Sequence, residues 1–86
     1  MNPTKTLQVI DLPANITAQQ VREVAQAQYR ILLQNDEEEL LLQQRDMDGL
    51  VDAQTYNARL KEIEGTRQAL LNLLDELKSL HEEVSK

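Results

Sequence analysis

Residues 53–84 read AQTYNARLKEIEGTRQALLNLLDELKSLHEEV. Within them Tyr56, Leu60, Ile63, Arg67, Leu70, Leu74, Leu77, His81 and Val84 recur at alternating spacings of 4 and 3. That rhythm tracks the turn of an α-helix, so the nine side chains draw one stripe along it, and seven of them are apolar or Tyr. A stripe kept up over four heptads predicts a helix packed along its length against another helix. Gly65 costs about 1 kcal/mol relative to Ala inside a helix, and its presence predicts a close approach of the facing helix there.

The facing helix is found by working back through the turn. Asp46-Met47-Asp48-Gly49-Leu50-Val51-Asp52 holds the one Asp-Gly of the chain. Gly49 can take the left-handed conformation that ends a helix. Asp52 is a cap for the next helix, and Leu50 and Val51 are expected to tuck under the tip. Upstream, Ala18 to about Arg45 contains neither Gly nor Pro. Thr17 with Gln20 three residues on has capping-box spacing, and Ile16 before the cap is placed to staple onto Val21. Asn35-Asp36-Glu37-Glu38-Glu39 interrupts the apolar pattern. One continuous helix, bent at that point, is expected; a break into two helices capped by Asn35 or Asp36 is the alternative.

The first sixteen residues differ. Leu7, Val9 and Ile10 or Leu12 suit a short extended strand, and Pro13 stops any helix. Such a segment either lies on the bundle or pairs as a strand with a symmetry mate or a partner's sheet edge. The expected fold is therefore all-α. It is a long antiparallel, coiled-coil-like helical hairpin over residues 17–86, behind an N-terminal extended arm over 1–16. The helices are expected at about 18–46 and 53–84, with the turn over 47–52. Pairing outward from Gly49 sets Leu42 near Tyr56, Tyr29 near Ala69, Ala25 near Leu73 and Val21 near Leu77.

One helix–helix contact cannot cover all the apolar surface. Ile31-Leu32-Leu33 and Leu40-Leu41-Leu42 are consecutive triplets, each spanning about 200° of a helix. Leu71, Leu73 and Leu80 flank the stripe of the second helix. Large contiguous apolar patches are rare on monomers. The expected solution is a homodimer, two hairpins forming a four-helix bundle, with Leu33, Leu40, Leu41, Leu70, Leu71, Leu73, Leu74, Leu77 and Leu80 in the self-association interface. The alternatives are an amphipathic helix from another protein, or the N-terminal segment folded back over the patch.

Composition sets further bounds. Eighty-six residues make at most one domain, and a chain of this size gains from a helper such as a disulfide, a metal or a second copy. There is no Cys and only one His, so oligomerisation is the helper left. The formal net charge of −6 argues against direct nucleic-acid binding. No stretch approaches the roughly 18 apolar residues of a membrane span. The N-terminus lacks a signal peptide's basic and apolar run, so a soluble, cytoplasmic protein is expected. The acidic charge gathers at the hairpin tip, in Asp36, Glu37, Glu38, Glu39, Asp46 and Asp48 together with the capping Asp52, against Arg45 alone. A solvated tip is the plain explanation. The functional one is a docking surface for a basic partner.

Catalytic chemistry finds little support. The turn partly resembles a calcium loop, but Gln44 and Thr55 stand where its first Asp and last Glu belong. Lys78, three residues before His81, replaces the Glu of a di-metal Glu-x-x-His motif. No nucleophile has a base at hand, and no glycine loop cradles phosphate. No enzyme activity, cofactor or metal is expected. His81, at a stripe position, is expected to pack half-buried or to hydrogen-bond at an interface, where it would make assembly pH-sensitive. Arg67 is expected to mark register or to pair with a carboxylate across the interface.

Leu41, Leu42, Gly49, Leu50, Val51, Asp52, Tyr56, Arg59 and Leu60 together resemble the short C-terminal helical hairpin domain called SHOCT, over residues 40–63. Thr55 stands where that family has an acidic residue before the aromatic, and both helices run well past the family's length. The resemblance implies an oligomerising or docking module. The function expected is a non-catalytic protein–protein interaction module, an adaptor, assembly factor or regulatory binding protein, that self-associates and engages another protein. The alternative is an acidic inhibitor, mimicking nucleic acid in the basic groove of a partner enzyme.

Overall fold

The structure is a computed structural model that describes residues 4–7 and 10–85. Two long helices, α1 (Ala18–Met47) and α2 (Ala53–Val84), form an antiparallel hairpin. Two short strands precede them, β1 (Thr4–Leu7) and β2 (Ile10–Pro13). The molecule measures 53 × 19 × 18 Å, a length set by one helix of about 48 Å at 1.5 Å per residue.

Local chemistry marks each helix end. The Thr17 hydroxyl accepts from the Gln20 N–H at 3.2 Å, and the Gln20 side chain accepts from the Thr17 N–H at 2.9 Å. This reciprocal pair satisfies two N–H groups that the first turn leaves without partners. Ile16 and Val21 share one buried cluster, as a staple requires. Gly49, at φ +73°, ends α1. Leu50 N–H reaches the Arg45 carbonyl at 2.9 Å and Gly49 N–H the Asp46 carbonyl at 3.1 Å, the two bonds of a Schellman motif. Asp52 then opens α2 by accepting from Thr55 N–H at 2.7 Å. That bond holds the Asp52 carboxyl below its ordinary range.

α1 is one continuous helix through Asn35, as expected, because the Asn35 amide turns inward and donates to the Ile63 carbonyl at 2.9 Å instead of capping a new helix. Two local expectations need correction. Leu50 does not tuck under the tip; it is 75% exposed. The Schellman turn places a residue in its position beside the third- and fourth-last residues of the helix, which here are the polar Arg45 and Gln44. Gly65 is not forced by a close helix. A Cβ built there meets nothing within 4 Å.

Between the helices, Ile63, Leu70, Leu74 and Leu77 of α2 are buried, and α1 brings Val21, Asn35 and Leu42 to them. The Asn35–Ile63 bond falls on the register obtained by pairing outward from Gly49. At the open end the N-terminal segment completes the core. Leu12 and Ile16 pack with Val21, Leu73, Leu74, Leu77 and Leu80. β1 and β2 pair with each other, Thr4 against Pro13 and Leu7 against Ile10. Closing a short local loop costs little entropy. A two-stranded hairpin alone is marginal, and Leu12 and Ile16 anchor this one to the helices. Val9, expected in that strand, lies outside the described residues.

Candidate interaction surface

The hairpin has two flanks, and the core residues divide them. Successive helical residues turn by about 100°, so Leu80 lies half a turn around α2 from Leu71. The flank bearing Leu73 and Leu80 is the one the N-terminal segment covers. Leu71 faces the other, which stays open.

On the open flank a groove of about 640 Å³ runs between α1 and α2. Val21, Ala25, Tyr29, Leu71, Leu74 and Leu77 supply its apolar lining, and Arg22, Asp75, Lys78, His81 and Glu82 bring charge or a titratable ring to it. Leu33 and Leu40 follow Tyr29 four and eleven residues on, within about 40° of it around α1. They carry the row past the groove towards the tip. Tyr29, Leu33, Leu40 and Leu71 are 54, 63, 65 and 41% exposed. His81 is half-buried here, and its Nε2 is buried without a hydrogen-bond partner among the described residues.

Of the nine leucines expected in a self-interface, five do other work in the single chain. Leu70, Leu73, Leu74, Leu77 and Leu80 are already buried within it. Leu73 and Leu80 looked surplus because the stripe alone does not reveal what Leu12 and Ile16 cover. Leu33, Leu40 and Leu71 remain on the open flank. Leu41 is exposed elsewhere, beside a smaller cleft of about 240 Å³ with Glu38, Leu42, Arg45 and Arg59.

The acidic run is also divided. Arg67 donates to Asp36 Oδ1 through Nε at 3.1 Å and Nη2 at 2.7 Å, and its Nη2 lies 3.2 Å from Glu39. These bonds, Asp36 first and Glu39 next, raise the Arg67 pKa further above its already high value. Arg59 bridges Glu38 at 2.6 Å and Glu62 at 2.9 Å. Asp36, Glu38 and Glu39 therefore tie α1 to α2, whereas Glu37, Asp46 and Asp48 are exposed. Arg67 does pair with carboxylates across a helix interface, but inside one hairpin. Arg59 was legible as a partner from register alone, since pairing outward from Gly49 sets it level with Glu39.

Among the described residues no group of three His, Asp or Glu side chains is placed to hold a metal ion. No described helix is long and apolar enough to cross a membrane. Comparison with protein-family models, with curated proteins and with solved structures found no match to this chain.

Proposed function

We propose that this chain is a small non-catalytic protein–protein interaction module, and that it pairs with a second copy of itself through its open flank. The observation that carries the reading is the row Tyr29, Leu33 and Leu40 beside Leu71. These are large apolar side chains left exposed on one side of a hairpin whose other side is covered at its open end by the N-terminal segment. Burying a Leu side chain is worth about 2 kcal/mol, so several such residues on one face drive association. One long face of a body 53 × 19 Å offers on the order of the 800 Å² per partner that a standard interface buries. Two hairpins joined by this flank make a four-helix bundle. The pair then acts as an adaptor, assembly factor or regulatory binding protein.

The acidic-inhibitor reading has less to draw on, because Asp36, Glu38 and Glu39 already hold arginines of α2. Molar mass by light scattering over a dilution series tests the proposal. A dimer is expected at both 0.15 and 0.5 M salt, reduced to a monomer of unchanged helicity by Leu33→Asp and unaffected by Leu41→Asp. A wild-type monomer at every concentration sinks the reading.

A further inference from the structure

The open side of α2 carries a second seam. Lys61, Glu64, Gln68, Leu71, Asp75, Lys78 and Glu82 recur at spacings of 3 and 4, and all seven are exposed. Taken outward from Leu71, the charges on the two sides are opposite. Glu64 lies seven residues before it and Lys78 seven after. Lys61 lies ten before and Glu82 eleven after. Gln68 lies three before and Asp75 four after. Lys61, Glu64, Lys78 and Glu82 have no ion-pair partner within one chain among the described residues.

This arrangement is the signature of a surface that matches itself when reversed. A two-fold axis brings a patch onto its own copy. Set beside Leu71 and across the helices, it runs α2 antiparallel to α2 of the second copy. Leu71 then meets Leu71, Glu64 meets Lys78, Lys61 meets Glu82 and Gln68 meets Asp75. A parallel arrangement in register sets like charge on like. Residue positions match to within one step, about 1.5 Å along the axis, well inside the reach of Lys and Glu. The same overlap sets the N-terminal half of the second α2 level with the groove and its C-terminal half level with Tyr29, Leu33 and Leu40.

We infer that the occupant of the open flank is a second copy of this chain, docked with its α2 antiparallel about a two-fold axis beside Leu71 and registered by the Glu64–Lys78 and Lys61–Glu82 pairs. The inference rests on the self-association proposed above and adds its geometry. Leu71 and the groove supply the affinity, and the charges select the antiparallel register, as rim charges do elsewhere.

Charge exchange within one chain tests the register. Residues 64 and 78 of one chain lie roughly 21 Å apart along the helix, too far to pair with each other. The dimer dissociation constant of the full chain would be measured by sedimentation equilibrium at 0.1 M salt, with far-UV circular dichroism as the check on folding. Glu64→Lys and Lys78→Glu alone are each expected to weaken the dimer about tenfold, since each converts two attractive pairs per dimer into repulsive ones. Glu64→Lys/Lys78→Glu together should return it to within about threefold of wild type. A double variant as weak as the singles, or weaker, overturns the register. A dimer broken by Leu33→Asp but indifferent to all three charge variants overturns it too, while leaving the self-association reading intact. A wild-type monomer overturns both.

Discussion

The side-chain amide of Asn35 donates a hydrogen bond of 2.9 Å to the main-chain carbonyl of Ile63, joining the middle of one helix to the middle of the other. Asn35 is a buried polar residue, and Ile63 beside it is among the most deeply buried side chains. The Ile63 carbonyl belongs to a helix whose own ladder uses one lone pair, so the Asn35 amide takes the second. A polar group at a packed seam costs stability unless it is satisfied in one particular register. This bond therefore fixes how α1 and α2 slide past each other. With them it fixes the level of Tyr29 and Leu33 relative to Leu71.

Asn35→Ala should lower stability by about 1–2 kcal/mol, the cost of a lost buried hydrogen bond and a small void. Asn35→Leu should restore most of the stability while relaxing the register, because an apolar residue packs equally well one step away. Chemical denaturation reports the first effect. Broadened amide resonances around Ile63 report the second.

The two glycines should respond to Ala with opposite signs. Gly65 sits in a helix interior with open space where a Cβ would go, so Gly65→Ala should stabilise by about 0.5–1 kcal/mol. Gly49 has equally open space but φ +73°, a conformation that L side chains rarely adopt, so Gly49→Ala should destabilise by about 1 kcal/mol. Paired urea titrations separate them. A destabilised Gly65→Ala would mean that the outer face of α2 is covered in solution.

Asp52 should give the hairpin an acid-side step in stability. Its folded carboxyl is held low, chiefly by the Thr55 N–H. The folded pKa is thus below the unfolded value of about 3.9. The contribution is complete above that unfolded value and disappears as pH falls through the folded one. Asp52→Asn keeps the cap but cannot titrate. Melting temperature followed from pH 5 to 2 should fall less steeply in Asp52→Asn than in wild type. Parallel curves would remove Asp52 from the account.

Arg67 and Asp36 should behave as a coupled pair. Arg67→Met and Asp36→Asn are each expected to lower the melting temperature, and the double variant to lower it by less than the sum. The coupling should shrink at 0.5 M salt, because both side chains are partly open to solvent. Strict additivity would mean that the Arg67–Asp36 contact contributes nothing to holding α1 on α2.

Leu12→Asp should detach the N-terminal segment. The change places a charge in the cluster with Leu73 and Leu80 and should cost about 2 kcal/mol or more. It also uncovers those two leucines. Binding of a hydrophobic dye should rise sharply while helicity is largely kept. Unchanged dye binding would show that the helices cover Leu73 and Leu80 without help.

The elements of this protein are legible in its sequence because they are local. The stripe from Tyr56 to Val84, the Thr17–Gln20 capping box, Gly49 and the Asp52 cap each depend on residues within a turn or so of one another. Helical period and capping chemistry act over that range whatever the rest of the chain does. The hairpin register follows as well, since a tight turn leaves little freedom in how its arms align. What only the tertiary structure decided is the use of each apolar or polar side chain once the helices were paired. Leu71, Leu73 and Leu80 are the same residue type on the same helix, yet two are buried under Leu12 and Ile16 and one is left on the open flank. Asn35 and Glu37 stood together in a polar interruption, and one became a buried crosslink while the other stayed in solvent. A helical period fixes the direction in which a side chain points. What covers it there depends on segments distant in sequence, and neither composition nor spacing records them.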